Sequence, residues 1–115
     1  MSEKQSMKYA LANTTTRRMV PAEDALRVPV EVFPPRLRRL HFFTARSLGD
    51  ETCFSMSHHP TGSKVVGYCL TREEAITEGV RRLKTKRITA IRAAIKEAAK
   101  VSAKYRREEA SKGPR

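Results

Sequence analysis

No run of apolar residues in the chain approaches the roughly 18 that a membrane-spanning helix needs. Cysteine is scarce. Cys53 and Cys69 are the only two in 115 residues, too few for a disulfide framework. With His58 and His59 they form the spacing Cys-x4-His-His-x9-Cys, which lacks the close cysteine pair of usual structural zinc sites. No metal is therefore expected. Residues 1–20 have no apolar core region, so they do not read as a secretory leader. A reducing cytoplasm is the expected compartment. There is no P-loop, no GxGxxG and no nucleophile elbow. Acidic residues are few, and Glu73, Glu74 and Glu78 suit the early turns of a helix better than a catalytic pair. Neither an enzyme nor a bound cofactor is expected.

What the chain does have is positive charge, unevenly placed. Lys and Arg number 24 against 12 Asp and Glu, a net charge of +12. Residues 1–40 carry 8 basic and 4 acidic side chains, residues 41–80 carry 3 and 5, and residues 81–115 carry 13 and 3. The centre is near neutral and the last third is strongly basic. Charge so concentrated repels itself unless an anionic partner offsets it.

The pattern predicts an α+β chain: a three-stranded antiparallel meander, then a long basic C-terminal helix, after an irregular N-terminal arm. Residues 1–39 show no period and read as extended or irregular, with one or two helical turns allowed at residues 21–27. Pro29, Pro34 and Pro35 disfavour regular helix beyond that point. Residues 40–48 and 52–57 read as strands around a turn with Gly49 first, the chemistry of a type II′ hairpin. That register places Ala45 opposite Phe54 and Phe43 opposite Met56, on one apolar face. Phe42 then falls on the polar face with Thr44 and Arg46, where it is either covered by a helix or free to stack on a base. Residues 64–70 make the third strand. Thr71 followed by Glu74 is a capping-box signal for a helix start.

Two apolar stripes run along that helix. Ile76, Val80 and Leu83 form the first; Ile88, Ile91, Ile95, Ala98, Ser102 and Tyr105 form the second. The step of five between Leu83 and Ile88 rotates the stripe by about 100°. The helix is expected either to bend near residues 84–87 or to pack its halves on different surfaces. Residues 40–83 are read as the sheet and the helix start, 84–110 as a projecting basic helix, and 111–115 as a disordered tail. The second stripe needs burial, on the chain's own sheet or arm or against a partner helix in an oligomer.

The candidate contacts are Arg81, Arg82, Lys84, Lys86, Arg87, Arg92, Lys96, Lys100, Lys104 and Arg107, in a stretch that also holds Arg106. Glu97 is the only acid in this stretch. Arg92, Lys96, Lys100 and Lys104 recur every four residues, a ridge about 20 Å long on a helix. Solvated helix faces ordinarily mix charge signs, whereas here i,i+4 neighbours repel. Arg36, Arg38, Arg39 and Arg46 are secondary candidates, and Arg17 and Arg18 further along the arm could add contacts.

The run of Gly67, Tyr68, Cys69, Leu70, Thr71, Arg72, Glu73, Glu74 and Ala75 resembles the strand-to-helix corner of AP2-type and phage integrase arm-binding domains. The resemblance implies three strands followed by a helix, and DNA binding. Those domains read DNA with Arg and Trp on the sheet; this chain has no Trp, and Arg46 is its main candidate there. Nucleic-acid binding through the helix is the leading expectation. The alternatives are docking on an acidic protein, as an inhibitor or assembly subunit of the kind phages make, and a place in a ribonucleoprotein.

Overall fold

A computed structural model of the chain describes residues 9–59 and 61–112. The class is α+β, with two antiparallel sheets and a long C-terminal helix. The meander is longer than three strands, and residues 9–39 of the N-terminal arm are structured, the first eight lying outside the described residues. Strands β1 (Ala10–Asn13) and β2 (Arg18–Pro21) form a hairpin of their own. Asn13 closes its tip: the side-chain oxygen accepts the backbone N–H of Thr15 and of Thr16, at 3.0 and 3.2 Å. This is an Asx turn, which fits a Thr-rich tip. Residues 21–27 do not form helical turns. Strand β3 (Leu26–Arg27) instead joins the main sheet, with Leu26 opposite Thr44. The proline segment folds as two short 3-10 turns, Val30–Val32 and Pro35–Leu37. These bury Phe33 and Leu37. The expected tail at residues 111–115 is helical as far as Lys112, and the rest of it lies outside the described residues.

Strands β4 (His41–Ser47), β5 (Asp50–His59) and β6 (Lys64–Cys69) complete a four-stranded sheet in the order β3-β4-β5-β6. The hairpin at Gly49 exists, but its register is one residue away from the expected one. Ala45 faces Ser55, Thr44 faces Met56 and Arg46 faces Phe54. Gly49 is the second residue of the turn, at φ +86°, not the first. A bulge between Arg46 and Ser47 absorbs the difference. The slip exchanges the faces. Phe42 and Met56 share the main core with Val28, Phe33, Leu37, Val66, Ala75, Leu83 and Ile91. Phe42 is buried and presents no ring to a base. Phe43 and Ala45 point to the other face, where Leu11 of the N-terminal hairpin covers them and Tyr9 stacks on Phe43 at 4.7 Å between ring centroids.

Helix α1 (Arg72–Lys84) starts as its capping signal requires. Thr71 Oγ1 accepts the Glu74 N–H at 3.0 Å, and Glu74 accepts the Leu70 N–H at 3.0 Å. Ala75 and Gly79 are buried one turn apart, which brings the helix close to Met56. Helix α2 (Ile88–Lys112) begins after a break at residues 85–87. No Pro or Gly stands at the break. Thr85 Oγ1 bonds the Arg82 carbonyl at 2.8 Å there, as the apolar stripe changes phase.

The second helix is not a projecting arm. Its stripe packs on its own chain: Ile91, Ser102 and Tyr105 are buried, and Ile88, Ile95 and Ala98 are half-buried. Ser102 Oγ donates to the Thr61 carbonyl at the end of the sheet. Arg17 binds Glu108 at 2.9 Å, and Arg18 stands 3.9 Å from Glu109. The N-terminal hairpin thus clamps the end of α2. No helix among the described residues is long and apolar enough to cross a membrane.

Candidate nucleic-acid interface

Because α2 buries the stripe from Ile91 to Tyr105, the opposite side faces solvent. Arg92, Lys96, Lys100 and Lys104 are all exposed on it. Each step of four advances about 40° around the axis. The ridge therefore crosses the solvent face obliquely and ends, at Lys104, on the side where Val101 lines a cleft. Lys100 is 3.4 Å from Glu97, but both side chains are largely exposed, so that pair is weak. Arg92, Lys96, Lys104 and Arg107 have no ion-pair partner among the described residues.

The α1 end of the basic stretch divides in two. Arg81 and Arg82 both hold Glu78: Arg81 with two nitrogens, Arg82 through Nε at 3.1 Å. Hydrogen bonds from Arg81, then from Arg82, hold the Glu78 carboxyl down at about 2. Arg82 also donates to the Val65 carbonyl at 3.5 Å. This triad is largely occupied with itself. Lys84, Lys86 and Arg87 are exposed at the break between the helices. Arg36 joins them, donating to the Lys84 carbonyl at 3.2 Å. So one secondary candidate meets the helix corner.

The other secondary candidates do not assemble with it. Arg38 is spent on the loop, bonding the Phe33 carbonyl at 2.9 Å. Arg39 is exposed between the second 3-10 turn and β4. Arg46 sits near the Gly49 end of the sheet, far from the end that holds Thr61. It donates to the Glu51 carbonyl at 2.7 Å, stands 3.7 Å from Asp24, and lies over the Phe54 ring at 5.4 Å. Arg72, from α1, shares Asp24 and the same ring and also reaches Thr44. The sheet arginine therefore belongs to a network with Asp24, Glu51 and Phe54. Arg17 and Arg18 clamp α2 in the same way.

A second positive cluster forms at the other end of β4. Arg27 is 3.2 Å from His41 Nδ1. The His59 ring, packed against Tyr9 and edge-on to Phe43, has its pKa lowered by burial first, then by His41, Arg106 and Arg27. His58 is buried, bonded to Thr61 Oγ1 at 2.8 Å, and burial pushes its pKa down to about 4. A neutral imidazole there is a structural element. Cys53 and Cys69 are half-buried free thiols. Among the described residues no group of three or more His, Cys, Asp and Glu is placed to hold a metal ion.

A cleft of about 620 Å³ that the sequence does not announce opens on the second face of the sheet. Ser47, Ser55, Ser57, Lys64 and Tyr68 line it, together with residues 13–16 of the hairpin tip and Val101 and Ser102 of α2. Its polar residues looked like ordinary strand and loop composition. The chain matches no protein-family model, and searches of curated proteins and of solved structures find no relative.

Proposed function

We propose that this protein binds nucleic acid through the solvent face of α2 and the basic corner where α1 meets α2. The observation that supports the reading is the ridge Arg92, Lys96 and Lys104. It lies on a helix whose opposite face is buried, and its charges have no ion pair among the described residues. A 25-residue helix is about 37 Å long, so the ridge is presented on a supported rod. Duplex DNA carries about one phosphate charge per 1.7 Å of axis, so such a row meets several phosphates. The contacts would be to phosphates, giving affinity with little sequence preference. The folded body is the support, and no catalytic step is part of the proposal.

Binding to DNA, RNA and heparin at a series of salt concentrations tests it. With about five phosphates neutralised, log K falls against log salt with a slope of about −4 to −5 on duplex DNA. A salt-insensitive affinity overturns the reading. Recovery of one acidic protein in stoichiometric amount, not released by nuclease, would put the same helix face on a protein surface instead.

A further inference from the structure

We propose that the cleft beside the ridge is a binding site for a nucleotide, with its phosphate held by Lys64 and its body set against the Ser-rich floor and Tyr68. The inference does not depend on the ridge binding nucleic acid. Four observations carry it.

The first is an unused hydroxyl. Ser57 is 1% exposed, lines the cleft, and its Oγ has no hydrogen-bond partner. A buried polar atom left unpaired is unfavourable, and native structures rarely keep one without a reason. The Ser47 hydroxyl accepts the Tyr68 N–H at 3.2 Å, so its own hydrogen remains to be donated.

The second is charge. The cleft is lined by Asn13, several Ser and Thr hydroxyls and one ionised side chain, Lys64. No carboxylate is among the described lining residues. With the Ser47 and Ser57 hydroxyls free to donate and Lys64 as its one charged side chain, the cleft favours an acceptor-rich anion.

The third is positioning. The Lys64 side chain lies across Gly67, where an added Cβ would stand 2.9 Å from Lys64 Cδ. Its ammonium reaches 4.9 Å from the centroid of the Tyr68 ring. Tyr68 has φ +61°, a left-handed conformation that aromatic residues seldom adopt. Its hydroxyl is 3.5 Å from the Leu48 carbonyl. A strained backbone thus holds an exposed ring and a cation together at the rim. Local strain of this kind concentrates at ligand sites.

The fourth is size and lining. A volume of about 620 Å³ lies within the 300–1,000 Å³ of ordinary small-ligand sites. Leu11, Leu48, Ala98 and Val101 give apolar walls for a planar body. The same chemistry has two sources, a free nucleoside monophosphate or the phosphorylated end of a strand.

The test is an NMR amide titration of the full chain with inorganic phosphate, a nucleoside 5′-monophosphate and a short 5′-phosphorylated single strand. Saturable shifts at Ser55, Ser57, Lys64 and Tyr68 with the monophosphate or the strand are expected, and the tighter of the two names the source. Ser57→Ala and Lys64→Met should each weaken binding by about tenfold. The melting temperature of Ser57→Ala should hold or rise, since the hydroxyl has no partner to lose. Absence of saturable shifts at millimolar ligand overturns the proposal. So does equal affinity for inorganic phosphate alone, or unchanged binding by both variants. Mononucleotide binding in the cleft and duplex binding on the ridge are read separately, so either can fail without the other.

Discussion

Ser102, in the buried stripe of α2, donates its hydroxyl hydrogen to the backbone carbonyl of Thr61 at the end of the sheet. Both residues are almost fully buried. This bond fixes where a helix with few large apolar residues in its second half meets the body. Replacing Ser102 with Ala leaves the Thr61 carbonyl unpaired and should lower stability by about 1–2 kcal/mol, read by urea unfolding. Hydrogen exchange should speed up in the second half of α2 before it does in α1. An unchanged midpoint with unchanged exchange would remove Ser102 as the docking point.

Gly79 and Met56 set the distance between α1 and the sheet. Alanine usually stabilises a helix interior relative to glycine by about 1 kcal/mol. Here an added Cβ would stand 2.7 Å from Met56 Sδ, and closer still to its terminal methyl. Met56 is fully buried among core side chains, so its flexible end must repack against them to make room. Gly79→Ala should therefore destabilise by about 1–3 kcal/mol. In a Met56→Val background the same change should become neutral or favourable. Additive effects in the double mutant would refute the contact as the cause.

His58 makes stability depend on acid. Its folded pKa is about 4 against 6.5 in an unfolded chain, chiefly through burial. Both states are neutral there above pH 7. As pH falls through 6.5 the unfolded chain takes up a proton that the folded chain refuses. Stability should therefore decline from about pH 6.5 down to about 4, by an amount on the order of 2–3 kcal/mol. Below that the folded histidine also protonates and its contribution levels off. His59 is shifted in the same direction, so His58→Gln should flatten the decline without abolishing it. Urea midpoints at pH 7 and pH 5 measure it; equal slopes for parent and variant would contradict it.

The sequence made some of these features readable and hid others, for physical reasons. The capping pair Thr71 and Glu74 is local chemistry, and it appears where its spacing puts it. The stripe from Ile88 to Tyr105 is a periodic signal over five turns, and its burial follows the period. The step of five after Leu83 marked the place where the helix breaks. The N-terminal strands have four, four and two residues, too short for alternation to register. The register of β4 and β5 turned on whether Gly49 is first or second in its turn, and one bulge reversed the faces. Of the candidate cations, those on α2 have an exposure that follows from helical spacing alone. The place of Arg46 does not, because its partner Asp24 lies 22 residues away. Arg17 is 91 residues from Glu108. Tyr68 owes its place to a backbone angle that no composition announces.

The difference between ridge and network gives the sharpest comparison of two kinds of basic side chain. Arg92, Lys96 and Lys104 are exposed with no ion pair among the described residues, whereas Arg46 is held by Asp24, Glu51 and Phe54. Changing the three ridge residues together to Gln keeps long polar side chains on the helix. It also relieves i,i+4 repulsion, so stability should hold or rise slightly. If each contacts one phosphate, the log–log salt slope on duplex DNA should shrink by about 2–3, since each neutralised phosphate contributes about 0.9. Arg46→Gln should do the reverse: the slope stays, while unfolding becomes easier through loss of the bond to Glu51 and the stacking on Phe54. A mobility-shift series over salt with both variants decides the matter. An unchanged slope in the triple variant would take the α2 ridge out of the interface. A slope reduced by Arg46→Gln would move the interface to the sheet.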